Sequence, residues 1–113
     1  MSYRFMRAMV MFDLPVETPM DRRHYRWFKK YLIDDGFIMM QESIYTKICA
    51  NMHTVERIRN NLEKNKPPKG IVQLMIVTER QYAGMDYIVG EGQSLYVQSD
   101  ERMIIIWDYR FKN

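Results

Sequence analysis

A single aspartate closes the most regular stretch of this 113-residue chain. In residues 5–15 (FMRAMVMFDLP) the side chains alternate between two faces, as in a strand. Phe5, Arg7, Met9, Met11 and Asp13 share one face; Met6, Ala8, Val10, Phe12 and Leu14 share the other. Both faces are largely apolar, which suits a central strand covered on both sides. Pro15 has no N–H to give to a ladder, so the strand ends there. An acid at the end of a buried strand must be solvated, paired or metal-bound. Its oxygens can ligate a divalent cation or accept backbone hydrogen bonds in the turn that follows. One carboxylate alone is too little for a two-metal phosphodiesterase.

The other reactive side chains form no constellation. His24 and His53 belong to no ligand set with zinc spacing. Cys49 has no nearby His and reads as a buried strand residue, not a nucleophile. Gly90-Glu91-Gly92 lacks the strand and helix that a phosphate loop joins. Ser43 and Ser94 have no base at a spacing that suggests a triad.

The length suits one domain, residues 1–113, able to bury about two-thirds of its unfolded surface. One cysteine permits no internal disulfide, and no apolar leader is visible, which reads as a reducing, cytoplasmic setting. No stretch approaches a membrane span. The net charge of +3 says little, but its distribution says more. Arg22, Arg23, Arg26, Lys29 and Lys30 lie within nine residues that hold no acid. Residues 57–69 carry Arg57, Arg59, Lys64, Lys66 and Lys69 against Glu63 alone.

The elements that must position these groups follow from local signals. Thr18-Pro19-Met20-Asp21 starts a helix that runs to about Asp35 and stops at Gly36. On its wheel the five bases span an arc of about 120°. Tyr25, Phe28 and Leu32 lie nearly opposite, with Met20, Trp27 and Tyr31 beside them. Asp34 and Asp35 oppose the helix dipole there. Residues 37–49 are two strands broken at Gln41-Glu42-Ser43. A second helix begins near Asn51 or Thr54, buries Val55, Ile58 and Leu62, and ends before Pro67-Pro68. Residues 71–78 are a strand, and Thr78-Glu79-Arg80-Gln81 caps a short helix over 79–85. Residues 86–100 are irregular, with a candidate strand at 95–97. Residues 102–107 (RMIIIW) read as a further strand, followed by an aromatic and basic tail.

This order is that of an α+β, ferredoxin-like βαββαβ sandwich with an additional C-terminal strand. Both helices cover one face of the sheet. The second face, with Phe5, Met9, Met11, Met75 and Val77, is too apolar to stay in water. A sheet-to-sheet homodimer through Met9, Met11, Met75 and Val77 is the simplest remedy. A two-fold axis near the first strand would bring Asp13 towards Asp13 of the partner subunit. Two facing carboxylates repel unless a divalent cation lies between them.

The MVMFDLP strand, the basic helix closed by Gly36 and the run Gln41-Glu42-Ser43-Ile44-Tyr45 resemble the CRISPR-associated protein two family. Gly70-Ile71-Val72-Gln73-Leu74 and Val77-Thr78-Glu79-Arg80-Gln81-Tyr82 are similar to its type II-A branch. The resemblance covers essentially the whole chain. It implies a homodimeric subunit of spacer acquisition that bridges integrase dimers and holds double-stranded DNA. It also implies a metal-dependent endonuclease acting on RNA or double-stranded DNA, with Asp13 as catalytic residue and Mg2+ or Mn2+ between its two copies. Many members carry Tyr or another polar group beside this aspartate; here the neighbours are Phe12 and Leu14.

On this reading Arg22, Arg23, Arg26, Lys29, Lys30, Arg57, Lys64 and Lys66 meet DNA phosphates, and Tyr109 and Phe111 in the tail dock the integrase. The strand at 102–107 either pairs with the partner subunit's sheet or closes its own, and the first choice would cover the edge and lock the dimer. A plain ferredoxin-like regulatory dimer, its basic helix only solvated, is the alternative that needs no nucleic acid.

Overall fold

The structure is a computed structural model that describes residues 5–90. The elements are β1 (Met6–Asp13), α1 (Pro19–Asp34), β2 (Ile38–Gln41), β3 (Ile44–Cys49), α2 (Met52–Asn65), β4 (Ile71–Thr78) and α3 (Glu79–Ala83). The four strands form one antiparallel sheet in the order β2-β3-β1-β4, the ferredoxin-like arrangement. The chain divides into two compact units, Met1–Ala83 and Gly84–Asn113. The described part of the second, residues 84–90, has no helix or strand. The expected strands at 95–97 and 102–107, and the tail with Tyr109 and Phe111, lie outside the described residues.

The element ends follow their capping chemistry. The Thr18 hydroxyl accepts from the Asp21 backbone N–H at 3.0 Å, and the Asp21 carboxylate accepts from the Thr18 N–H at 3.3 Å. This reciprocal pair is a capping box. At the other end of α1, Gly36 takes φ +99°. Its N–H donates to Ile33 O at 3.0 Å while that of Phe37 donates to Leu32 O at 2.9 Å. These two bonds close the helix as a Schellman turn, and buried Phe37 seals it. Asn51 caps α2 by accepting from the Thr54 N–H at 2.9 Å.

The core lies between the sheet and both helices. Ala8, Val10, Phe12 and Leu14 of the β1 segment meet Phe28 and Leu32 of α1 and Val55, Ile58 and Leu62 of α2. Phe12 packs its ring 5.2 Å from Phe28 and 5.8 Å from Tyr45, centroid to centroid. That anchors the end of β1 immediately before Asp13. Cys49 is fully buried, and burial pushes its thiol up, so it is inert as a nucleophile.

Two expectations about the faces need correction. Met20 and Trp27 do not fill the core side of α1: they are 54% and 60% exposed, and α1 meets the core through buried Phe28 and Leu32 with Tyr25 and Tyr31 packed beside them. The second sheet face is not uniformly bare. Arg7 is 3% exposed there, and Met9, one pleat further on, is 7% exposed. The short helix α3 turns back beside Arg7, whose Nε donates to Glu79 Oε1 at 3.0 Å and whose Nη2 donates to Glu79 Oε2. Its guanidinium also lies 4.1 Å from the centre of the Tyr82 ring. A bidentate pair of this kind carries its own satisfaction, so an arginine can occupy an apolar face. Elsewhere on that face Thr46, opposite Met9, is also buried, Met11 and Val77 are half-buried, and Ile71 and Met75 are exposed.

Candidate nucleic-acid interface

Asp13 ends β1 as an exposed residue. Asp13 pairs with Ile71 of β4, and on the other side the residue before it is held, the Phe12 N–H donating to Ser43 O at 3.0 Å. Gly70, at φ +92°, brings the start of β4 against it. A Cβ at Gly70 would stand 2.6 Å from the Asp13 carbonyl oxygen and 2.8 Å from Leu14 Cδ2. Only glycine fits both the left-handed conformation and this approach. Gly70→Ala is therefore expected to cost about 2 kcal/mol in urea unfolding and to displace the Asp13 turn. Unchanged stability would show that the loop yields without strain.

Among the described residues no group of three or more His, Cys, Asp or Glu could hold a metal ion. Among the described residues Asp13 is thus not part of such a group, and it offers one hard oxygen donor group. Mg2+ is commonly held by one or two carboxylates and several waters, so the donor type fits once a second carboxylate is supplied.

The start of α1 and the end of α2 meet near this strand end. Lys69, four residues past α2, reaches Asp21 in the first turn of α1 at 3.3 Å. Leu14, Pro15, Asp21, His24, Pro67, Pro68 and Lys69 line a cleft with room for about one water. Burial pushes the Asp21 carboxyl up, but the Thr18 N–H, Lys69 and the Thr18 hydroxyl together hold it below the ordinary value. The folded state then binds fewer protons than the unfolded chain here. The stability from Asp21 is present above the unfolded carboxylate range, about pH 4, and is lost as pH falls through the lower folded value. Asp21→Asn is expected to lower the unfolding midpoint at neutral pH and to flatten its fall as pH drops below about 4. An unchanged acid limb would remove Asp21 from that role.

The basic side chains of α1 do not all face solvent alike. Arg22 donates to Val16 O at 3.0 Å and Glu17 O at 3.2 Å, so it closes the loop after Asp13. Arg23 and Arg26 are exposed. Lys29 lies 5.3 Å from the Tyr25 ring centre. Lys30 pairs with Asp34 at 2.8 Å, both side chains largely exposed. Such a pair is worth about 0.3–0.5 kcal/mol and leaves Lys30 available to an anion. On α2, Lys64 is exposed and Lys66 pairs with Glu63 at 3.1 Å.

The two acids that oppose the α1 dipole now have their reason. Asp34 takes Lys30, and Asp35 lies between two cations. Arg57 reaches Asp35 Oδ1 at 3.6 Å, Lys47 stands 3.9 Å from Oδ2, and Lys47 also donates to the Asp35 carbonyl. Arg57, read in the sequence as a phosphate contact, thus ties α2 to the end of α1. Beside it the Tyr31 hydroxyl is buried without a hydrogen-bond partner. Burial and the charge of Asp35 push it up to about 12, against a smaller opposing effect of Arg57.

Residues 6–85 match the family described as CRISPR associated protein Cas2. The chain belongs to the Cas2 family. It is 48% identical over 101 residues to the CRISPR-associated endoribonuclease Cas2 of Treponema denticola, covering 89% of this chain and all of that protein. It is 45% identical over the same length to the Cas2 endoribonuclease of Ligilactobacillus salivarius, again covering 89% and 100%. For that of Streptococcus mutans strain UA159 the identity is 40%, with 89% and 93% covered. Two features of this Cas2 chain escape sequence reasoning: the close approach of Gly70 to Asp13 and the Asp21–Lys69 tie. A glycine after Pro67-Pro68-Lys69 signals a turn, but nothing local says which strand end it meets.

Proposed function

We propose that this Cas2 family member is the small subunit of CRISPR spacer acquisition, a homodimer that holds double-stranded DNA and bridges integrase dimers. The observation that carries this reading is the outer side of α1, where Arg23, Arg26 and Lys30 are exposed in an acid-free run of sequence. Bases arranged without a recognition loop neutralise phosphates and read no sequence. Lys64 and Lys66 at the end of α2 extend the same charge.

The dimer forms through the open part of the second sheet face. Met11, Met75 and Val77 carry it, while Met9, already buried in the single chain, adds little. Tyr109 and Phe111 in the tail dock the integrase.

A second reading is favoured by the exposure of Asp13 and by the endoribonuclease name of the relatives. Here the chain is an endonuclease for RNA or double-stranded DNA, with Asp13 of each subunit holding Mg2+ or Mn2+. The cation would lower the pKa of a bound water and neutralise the phosphodiester. The protein's part is to fix the carboxylate, through Gly70 and the β1–β4 pairing.

Duplex binding tests the first reading. Binding is expected for any sequence, with an affinity that falls steeply as salt rises. Absent or salt-insensitive binding would overturn it. Sedimentation must also give a dimer. Asp13→Ala separates the two readings in a reconstituted integration assay: the scaffold keeps integration, and a catalytic requirement loses it.

A further inference from the structure

Resting on the proposed nucleic-acid role, we infer that Trp27 is a stacking site for an unpaired nucleobase beside the duplex-binding bases of α1. Trp27 is 60% exposed, yet it stands in the middle of the acid-free run 22–30. Its aromatic neighbours in that run are used otherwise: Phe28 is buried in the core and Tyr25 packs edge-on to Phe12. Trp27 has the one indole face on this helix that no core residue claims.

Its surroundings match what a single strand needs. Arg23, one turn earlier, places its guanidinium 6.0 Å from the Trp27 ring centre. The His24 ring lies 5.9 Å away, tilted by 55°, and His24 also lines the cleft with Pro67, Pro68 and Lys69. Lys30 and Arg26 are exposed on adjoining positions. Arg23 and Lys30 are seven residues apart, about 10 Å along the helix, so they bracket the ring. An aromatic face flanked by cations serves single strands, because every base has a π face and every nucleotide a phosphate.

The interior of a duplex offers no such face, since its bases already stack on each other. Duplex and single strand therefore engage different groups: cations alone for the first, cations with Trp27 for the second. A DNA with a duplex body and an unpaired extension would use both. An acidic protein segment would use the same cations but gain nothing comparable from the indole.

The test uses the full chain and three probes: a single-stranded oligonucleotide, a long duplex of the same composition, and polyglutamate. Trp27 and Trp107 are the two tryptophans, so Trp27→Phe reports the Trp107 background. The single strand is expected to quench Trp27 fluorescence, and the long duplex and polyglutamate to leave it nearly unchanged. Trp27→Ala should weaken single-strand binding about tenfold with the salt slope preserved, while Trp27→Phe retains most of the affinity. Duplex affinity should stay within about twofold in both variants, since stacking has no part in it. Single-strand affinity untouched by Trp27→Ala overturns this inference, even where salt-dependent duplex binding upholds the proposed function. Quenching by polyglutamate but not by the oligonucleotide would also overturn it, making the patch a protein-docking surface.

Discussion

Replacing Arg23, Arg26 and Lys30 together with alanine is expected to weaken duplex binding by about two orders of magnitude at about 0.1 M salt. Each phosphate contact contributes a slope of about 0.9 in log K against log salt, so the triple variant should lose between two and three units. All three side chains are exposed and none supports the core, so the unfolding midpoint should barely move. The loss of the Lys30–Asp34 pair costs only a few tenths of a kcal/mol. Arg22→Ala is the instructive control. Its guanidinium is engaged with Val16 and Glu17 carbonyls, so its removal loosens the loop after Asp13 more than it weakens phosphate attraction. Arg57→Ala should likewise read out in stability, because Arg57 offsets the charge of Asp35. An unchanged salt slope in the triple variant would show that the α1 face meets only solvent, and Lys64 and Lys66 would take its place.

On the nuclease reading, Asp13→Asn is expected to reduce divalent-dependent cleavage of RNA or duplex DNA by at least about a hundredfold, the scale of losing a metal's several kcal/mol of charge stabilisation. The substitution is nearly isosteric and the residue is exposed, so folding should be unaffected. Duplex affinity should stay the same or rise slightly, since the substitution removes a negative charge. A chelator should produce the same loss in the parent protein and no further loss in the variant, because the two act on one unit. Cleavage that survives in Asp13→Asn would assign the activity elsewhere and leave Asp13 a solvated strand end. Asp13 and α1 are thus probed by readouts that do not overlap.

Much of the architecture is legible because the signals are local. Thr18, Pro19 and Asp21 start α1 through hydrogen bonds spanning three residues, and Gly36 ends it through a conformation that other residues avoid. Asn51 and Pro67-Pro68 bound α2 for the same kind of reason. The period-two pattern of β1 and β4 sorted their residues correctly: Val72, Leu74 and Ile76 pack against the core. Their alternates Gln73 and Met75 pair with Met11 and Met9 on the other side. From that order of elements the ferredoxin-like sheet follows, since short connections leave few ways to cover its apolar faces.

What lies around the site was decided by distance along the chain. Arg7 meets Glu79 across 72 residues of sequence, and Lys69 meets Asp21 across 48. No window of residues contains both partners, so periodicity could not show that a charge would be satisfied inside the second face. The same limit explains Trp27. A helical wheel places it beside the core arc, but the width of that arc depends on how closely the sheet and α2 approach, and here Phe28 and Leu32 with Tyr25 and Tyr31 fill it while Trp27 stays outside. Gly70 shows it most directly: its turn is written in the sequence, whereas the 2.6 Å that any Cβ would leave to the Asp13 carbonyl exists only once β4 pairs with β1. Caps and alternation are properties of neighbouring residues and were determined by the sequence itself. Burial, ion pairing and the setting of Asp13 are properties of surfaces brought together by folding, and only the tertiary structure decides those.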